Sequence, residues 1–190
     1  ETGVGPRVVR VGTHALHAGS ASTLWSRLAQ HRGALRTGGG NHRGSIFRLL
    51  VGEAWQRQQG AQVPSWGQQS ARSVAATSLG LSLQTVAEDE ARVETEASRI
   101  VRAMPLLWLR IEDVPGPENL RGRIERNSIA LLSNRGRPPI DPPSAAWLGH
   151  QSGRPRVRES GLWNNNHVDE DYDPAFLDTL EQLTDDCSKG

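Results

Sequence analysis

The sequence predicts an α/β (α+β) fold, a small few-stranded sheet flanked by helices, with a helical and irregular insertion. Three observations carry this expectation. Two short runs rich in β-branched and large apolar residues, RVVRVGT (7–13) and PLLWLRIEDV (105–114), read as strands. Other segments repeat their apolar residues at the 3.6-residue period of a helix. The chain has 190 residues, 36% of them hydrophobic, which is enough for one domain with a real core.

Taken in order, the first strand ends at Gly12 in a turn. LWSRLAQHR (24–32) follows as a helix, with Ser22 or Thr23 placed to cap it. TGGGNHRGS (37–45) reads as a flexible loop, and 44–58 as helix or strand, the spacing of Ile46, Leu49 and Leu50 favouring a helix and Gly52 speaking weakly against it. Residues 59–82, rich in Gln, Ser and Gly, read as loop or irregular chain. Val86, Val93, Ala97, Ile100, Val101 and Met104 mark one face of a helix over 82–104, whose many acids read as its solvated side. Pro105 stops that helix before the second strand, where Trp108 is expected in the core. A helix over 116–134 follows, with Pro117 near its start. GRPPIDPP (136–143) excludes regular structure, because proline lacks a donor and restricts its neighbour. Asp173 and Pro174 open a last helix over 171–183. Trp66, Trp147 and Trp163 lie in irregular segments and are expected to pin those loops to the body.

A net charge of +1 conceals blocks: +6 over 1–60, −3 over 61–120, +5 over 121–168 and −7 over 169–190. If the two basic blocks meet they form a face for phosphates, a task for which the planar arginine fork is suited. No apolar run reaches the roughly 18 residues of a membrane span. Cys187 is the only cysteine, which excludes an internal disulfide framework and points to a reducing, cytoplasmic compartment.

The chemistry lies where apolar stripes are interrupted. Leu24, Arg27, Leu28 and His31 share one stripe of the first helix, with Leu24 and Leu28 expected on the core. Glu125, Ser128, Ile129 and Leu132 share one in the 116–134 helix. A carboxylate on such a face is costly unless it is paired or bound to a cation. The spacing alone fits a semi-buried Arg–Glu ion pair as well as a site. GGGNHRGS lacks the lysine of a P-loop, but Asn41, His42 and Arg43 are candidate contacts to nucleic acid. WNNNHVDEDYD (163–173) lacks the glycine and distal glutamate of a calcium loop. It reads either as Asx turns leading into a capped helix or as a supporting edge of a site through Asn166 and His167.

VVRVGT…STLWSRLAQH resembles the second and third motifs of the GIY-YIG nuclease superfamily, a strand ending in Tyr-Ile-Gly and a helix with Leu-x-x-Arg-x-x-x-His. Val11-Gly12 match the Ile-Gly, and Leu24, Arg27 and His31 match the helix. IERNSIALLSNRGRPPID resembles the later motif, with Glu125 in the glutamate's place and Asp141 near that of a polar residue, usually Asn. Arg10 replaces the motif tyrosine, and Tyr172 is the only tyrosine. The family's first strand belongs just before residue 7. On this resemblance, 1–190 is a single, N-terminally truncated domain, elaborated over about 45–105 and ending in an acidic helix and tail at 169–190.

The resemblance implies a divalent-metal-dependent DNA endonuclease of a prokaryotic cytoplasm, using Mg²⁺ or Mn²⁺. Glu125 would hold the metal, Arg27 would contact the scissile phosphate, and His31 would orient water or exchange a proton. Arg10, His14, Asn41, His42 and Arg43 would contact DNA, with Gly12, Thr13, Asn166 and His167 supporting. The same residues also admit a non-catalytic nucleic-acid-binding module, or a structural, partner-binding domain.

Overall fold

The computed structural model describes residues 5–68 and 71–188, the last two by their backbone alone, so the side chain of Cys187 lies outside the described residues. In chain order the elements are α1 (Leu24–Arg32), α2 (Ile46–Gln58), α3 (Arg72–Leu79), α4 (Leu83–Arg102), α5 (Leu120–Leu132), α6 (Pro155–Ser160) and α7 (Ala175–Ser188), with 3₁₀ turns at His42–Gly44 and Leu148–Gln151. Among the described residues the expected sheet is absent, the chain is helical, and Gly5 alone is a bridge residue.

Both expected strands are extended segments without a ladder. The Trp163 N–H donates to the Val9 carbonyl at 2.7 Å, but side chains satisfy Val11. The Asn164 amide accepts from the Val11 N–H at 3.1 Å and donates to its carbonyl at 2.8 Å, doing the work of a neighbouring strand. In the second segment Leu107 is 87% and Trp108 71% exposed, so Trp108 is not a core residue. Arg110 pairs with Glu112 two residues on, as alternate residues of extended chain do, yet no strand lies alongside among the described residues. Alternation dictates extension; a sheet also needs a partner.

The chain divides into two compact units: unit 1 comprises Glu1–Leu24, Leu106–Ser144 and Glu159–Gly190, and unit 2 comprises Trp25–Pro105 and Ala145–Arg158. In unit 2, α2 packs on α4 and on the Leu148–Gln151 turn. Ser45 caps α2 by accepting the Arg48 N–H at 3.2 Å. Gly52, an unfavourable residue for a helix interior, makes room for an indole: a Cβ there would stand 2.2 Å from Cζ2 of Trp66. Trp66 in turn donates to the Leu49 carbonyl at 3.1 Å, pinning its loop as expected.

α4 is the central helix of this unit. Ser82 caps it, and Val86, Val93, Ala97 and Val101 are buried along one face. Glu90 and Glu94 are buried on that same face, 0% and 3% exposed, so the acids of α4 are not simply its solvated side. The irregular stretch expected over 59–82 contains α3, which packs on α4 and ends at Gly80 in the left-handed conformation.

In unit 1, Asn119 rather than Pro117 marks the start of α5, its side chain accepting the Gly122 N–H at 2.7 Å. Ile129, Leu162 and Val168 form a core cluster against which Val11 and Leu132 pack, and Trp163 is fully buried. Asp173 opens α7 as expected, accepting the Ala175 N–H at 3.0 Å.

Candidate active site

α1 buries none of its residues. Leu24, Arg27, Leu28 and His31 are all half-buried, so the two leucines are not core residues and the stripe runs along the surface of the protein. Arg27 donates from Nη1 to Oε1 of Gln30 at 2.6 Å, one turn on, which holds the guanidinium along the helix. His31 meets Ser45 Oγ through Nδ1 at 2.7 Å and stands edge-on to Phe47, ring centroids 5.7 Å apart at 80°. The ring of His31 is thus tied to the first turn of α2.

The end of α1 is clamped by two arginines, one buried and one at the surface. Arg48, 0% exposed, donates to the His31 carbonyl at 2.9 Å. Arg102 donates to the carbonyls of Arg32 and Ala34 at 2.9 and 2.7 Å. These carbonyls belong to the helix end that leaves acceptors unpaired and carries negative partial charge. Arg48 is held by Glu94 through Nε and Nη2 at 3.0 and 2.5 Å. The Arg48 guanidinium lies beneath the glycine-rich turn, so close that a Cβ at Gly40 would stand 2.1 Å from its Cζ. The TGGGNHRGS segment is therefore seated on a buried ion pair, not a free loop.

This seating decides what the loop offers. Asn41 is exposed and caps its own turn, accepting the Arg43 N–H at 3.0 Å. His42 is 2% exposed and belongs to the core: its N–H and Nδ1 both reach Glu94 Oε1, at 2.6 and 2.9 Å, and its ring stacks on Trp66 with centroids 3.9 Å apart. Arg43 forks onto Glu90 at 2.8 and 2.7 Å, and Arg72 joins the same carboxylate at 3.0 Å. Burial alone would raise the Glu90 carboxyl, but hydrogen bonds from Arg43 and Arg72 outweigh it and hold it at about 2. Glu94 is likewise held low, its burial outweighed by His42 and Arg48. Sequence reasoning missed both glutamates, though 90 and 94 fall in register with Val86, Val93 and Ala97.

The remaining expected residues belong to unit 1. Glu125 is half-buried on α5, beside the buried Ile124 and one turn before the buried Ile129. Arg10 donates to the Trp163 carbonyl at 3.0 Å, and His14 meets the Ser22 carbonyl through Nδ1 at 3.1 Å. Gly12 and Thr13 lie in the extended segment, exposed and half-buried. Asp141 pairs with Arg7 at 3.4 Å, and burial lowers the pKa of that guanidinium against the pull of Asp141. Asn166 is exposed, and His167, in the left-handed conformation at φ 63°, meets Glu170 at 2.9 Å. The structure thus joins Arg27 and His31 on α1 in unit 2, and carries Glu125, Arg10 and His14 in unit 1.

The whole chain, residues 1–190, matches the model of the GIY-YIG domain. The chain belongs to the GIY-YIG family. No curated protein and no solved structure matches it. At the level of the family, GIY-YIG domains are nuclease domains acting on nucleic acid. Among the described residues no group of three His, Cys, Asp or Glu is placed to hold a metal ion. Glu125 offers a single carboxylate rather than part of such a group. It is one hard oxygen donor on a half-buried helix face, and Mg²⁺ accepts one or two carboxylates with water and phosphate completing its shell. Among the described residues no helix is long and apolar enough to cross a membrane.

Proposed function

We propose that this chain is a divalent-metal-dependent endonuclease that cleaves DNA phosphodiester bonds, acting in a prokaryotic cytoplasm. The observation that carries the reading is α1, which brings Arg27 and His31 of the GIY-YIG motif to one half-buried stripe and ties His31 to Ser45. Glu125 is the residue for Mg²⁺ or Mn²⁺. When bound, the cation neutralises charge on the reacting phosphate and lowers the pKa of its water. Arg27 gives a forked, charge-assisted contact to a phosphate oxygen as charge builds, in exchange for its bond to Gln30. His31, tied to Ser45 through Nδ1, orients a water with the other edge of its imidazole. Arg10, His14 and Asn41 supply contacts to the DNA backbone, and Asn166 and His167 support them.

Plasmid nicking tests this directly. With Mg²⁺ the chain converts supercoiled to open-circular DNA. Glu125→Ala abolishes nicking while retaining DNA binding, and Arg27→Ala lowers the rate by about 10²–10³, the usual cost of one charge-stabilising donor. Nicking that survives Glu125→Ala or chelation of the metal overturns the proposal. Arg10, standing where the family has a tyrosine, favours a non-catalytic nucleic-acid-binding module as the second reading; binding without nicking is its signature.

A further inference from the structure

The acidic block that follows the basic one is folded back onto it. Within unit 1, all four acids of the five-residue segment 169–173 each meet an arginine of α5 or of the turn after it. Asp173 pairs with Arg123 at 2.9 Å and Glu170 with Arg126 at 2.6 Å, Asp169 pairs with Arg135, and Asp171 lies 4.0 Å from Arg137. Arg137 also donates to the Glu170 carbonyl at 2.8 Å, and Asn127 of α5 accepts the Asp173 N–H at 2.7 Å. Arg123 and Arg126 keep 47% and 62% of their side-chain surface in water, and Asp171 is fully exposed. Pairs this exposed are worth little to the fold and exchange partners readily. They do not explain by stability why four arginines and four acids should be set against each other.

We propose that the arginine row Arg123, Arg126, Arg135 and Arg137 is a docking face for the phosphate backbone of duplex DNA, and that the strap 169–173 occupies it as an internal phosphate mimic. Irregular chain bearing an acid at nearly every position presents anionic oxygens to guanidinium forks, which is the chemistry a phosphate backbone presents. DNA must displace the strap to dock, so the strap lowers affinity for any duplex and leaves firm binding to DNA that also engages other parts of the protein. Glu125 sits in α5 between Arg123 and Arg126, so docking on the row would bring phosphates to the helix that carries the proposed metal ligand. This inference rests on the nuclease reading and adds a regulation to it.

The test is fluorescence anisotropy of the full chain with a labelled DNA duplex in chelator, where no cleavage intervenes. The variant Asp169→Asn/Glu170→Gln/Asp171→Asn/Asp173→Asn keeps the size of each side chain, and the cap at 173, while removing the strap's charge. It is expected to bind about tenfold tighter at low salt, and its affinity should fall more steeply with salt because Arg123 and Arg126 are freed to release further counterions, while Arg135 keeps a second partner in Glu159 at 2.6 Å. Adding Arg123→Ala and Arg126→Ala to that variant should remove the gain. A charge-matched control, Asp178→Asn/Glu181→Gln/Asp185→Asn/Asp186→Asn on the exposed face of α7, should give little of it. Equal gains in variant and control, a gain that survives loss of both arginines, or no change at all would each overturn the proposal. A chain that shows the gain but nicks no plasmid supports the strap and sinks the nuclease reading.

Discussion

At the scale of single residues, Ser45 decides what His31 can do. Its Oγ accepts the Arg48 N–H at 3.2 Å, and its own hydroxyl proton, in a side chain only 2% exposed, needs an acceptor. His31 Nδ1 at 2.7 Å is that acceptor, which leaves the proton of the neutral imidazole on Nε2. His31 in its neutral form is then a hydrogen-bond donor at Nε2 and not a base there. Nitrogen-detected NMR of the imidazole should show an unprotonated Nδ1 and a protonated Nε2 in the neutral ring. Ser45→Asp keeps a capping oxygen but brings no proton, so it should move the ring proton to Nδ1. A wild-type ring already protonated at Nδ1 contradicts the assignment. The motif residues Arg27 and His31 were legible in the sequence because they interrupt a stripe. Ser45, fourteen residues from His31, was not, because only the folded turn joins them.

At the scale of elements, α4 shows what periodicity reveals and what a composition-based reading hides. Its apolar face was legible from Val86, Val93, Ala97 and Val101, and its bounds fall within two residues of those expected. Its acids looked like a solvated side because they are many, yet Glu90 and Glu94 lie in the stripe, each buried against arginine. The two extended segments show the reverse case. Their local pattern is right for a strand, and what is missing is a property of other parts of the chain. Burial also sets how much each ion pair matters. Arg48→Met strips Glu94 of a cation in a dry core and should cost about 3–5 kcal/mol. Arg110→Ala breaks the pair with Glu112, both partners more than 70% exposed, and should cost less than about 1 kcal/mol. Urea unfolding of the two variants beside the wild type checks the contrast, and similar costs for both would refute it.

For the whole molecule, charge is distributed so that the two units should answer acid differently. The blocks in the sequence were legible as blocks. Where they are neutralised was not: two acids of the −3 block, Glu90 and Glu94, are folded into the core of unit 2, and part of the −7 block lies on α5 in unit 1. Glu90 has a folded value of about 2 against 4.5 for an ordinary glutamate, so the unfolded chain takes up its proton first. Its contribution is therefore complete above about pH 4.5 and drains as pH falls toward 2, on the order of 3 kcal/mol in all. Glu94, also held low, acts in the same direction and in the same unit. Glu170 in unit 1 is lowered too, its burial outweighed by His167 and Arg126, but a third of its side chain is in water, where screening leaves it little weight. Acid should thus loosen unit 2 before unit 1. Amide exchange followed from pH 5 to pH 2, corrected for intrinsic rates, should accelerate in α2 and α4 ahead of α5. Glu90→Gln should flatten the pH dependence of α4 specifically. Exchange that rises first in α5, or an unchanged profile in Glu90→Gln, would show that the buried carboxylates of α4 do not govern the acid response.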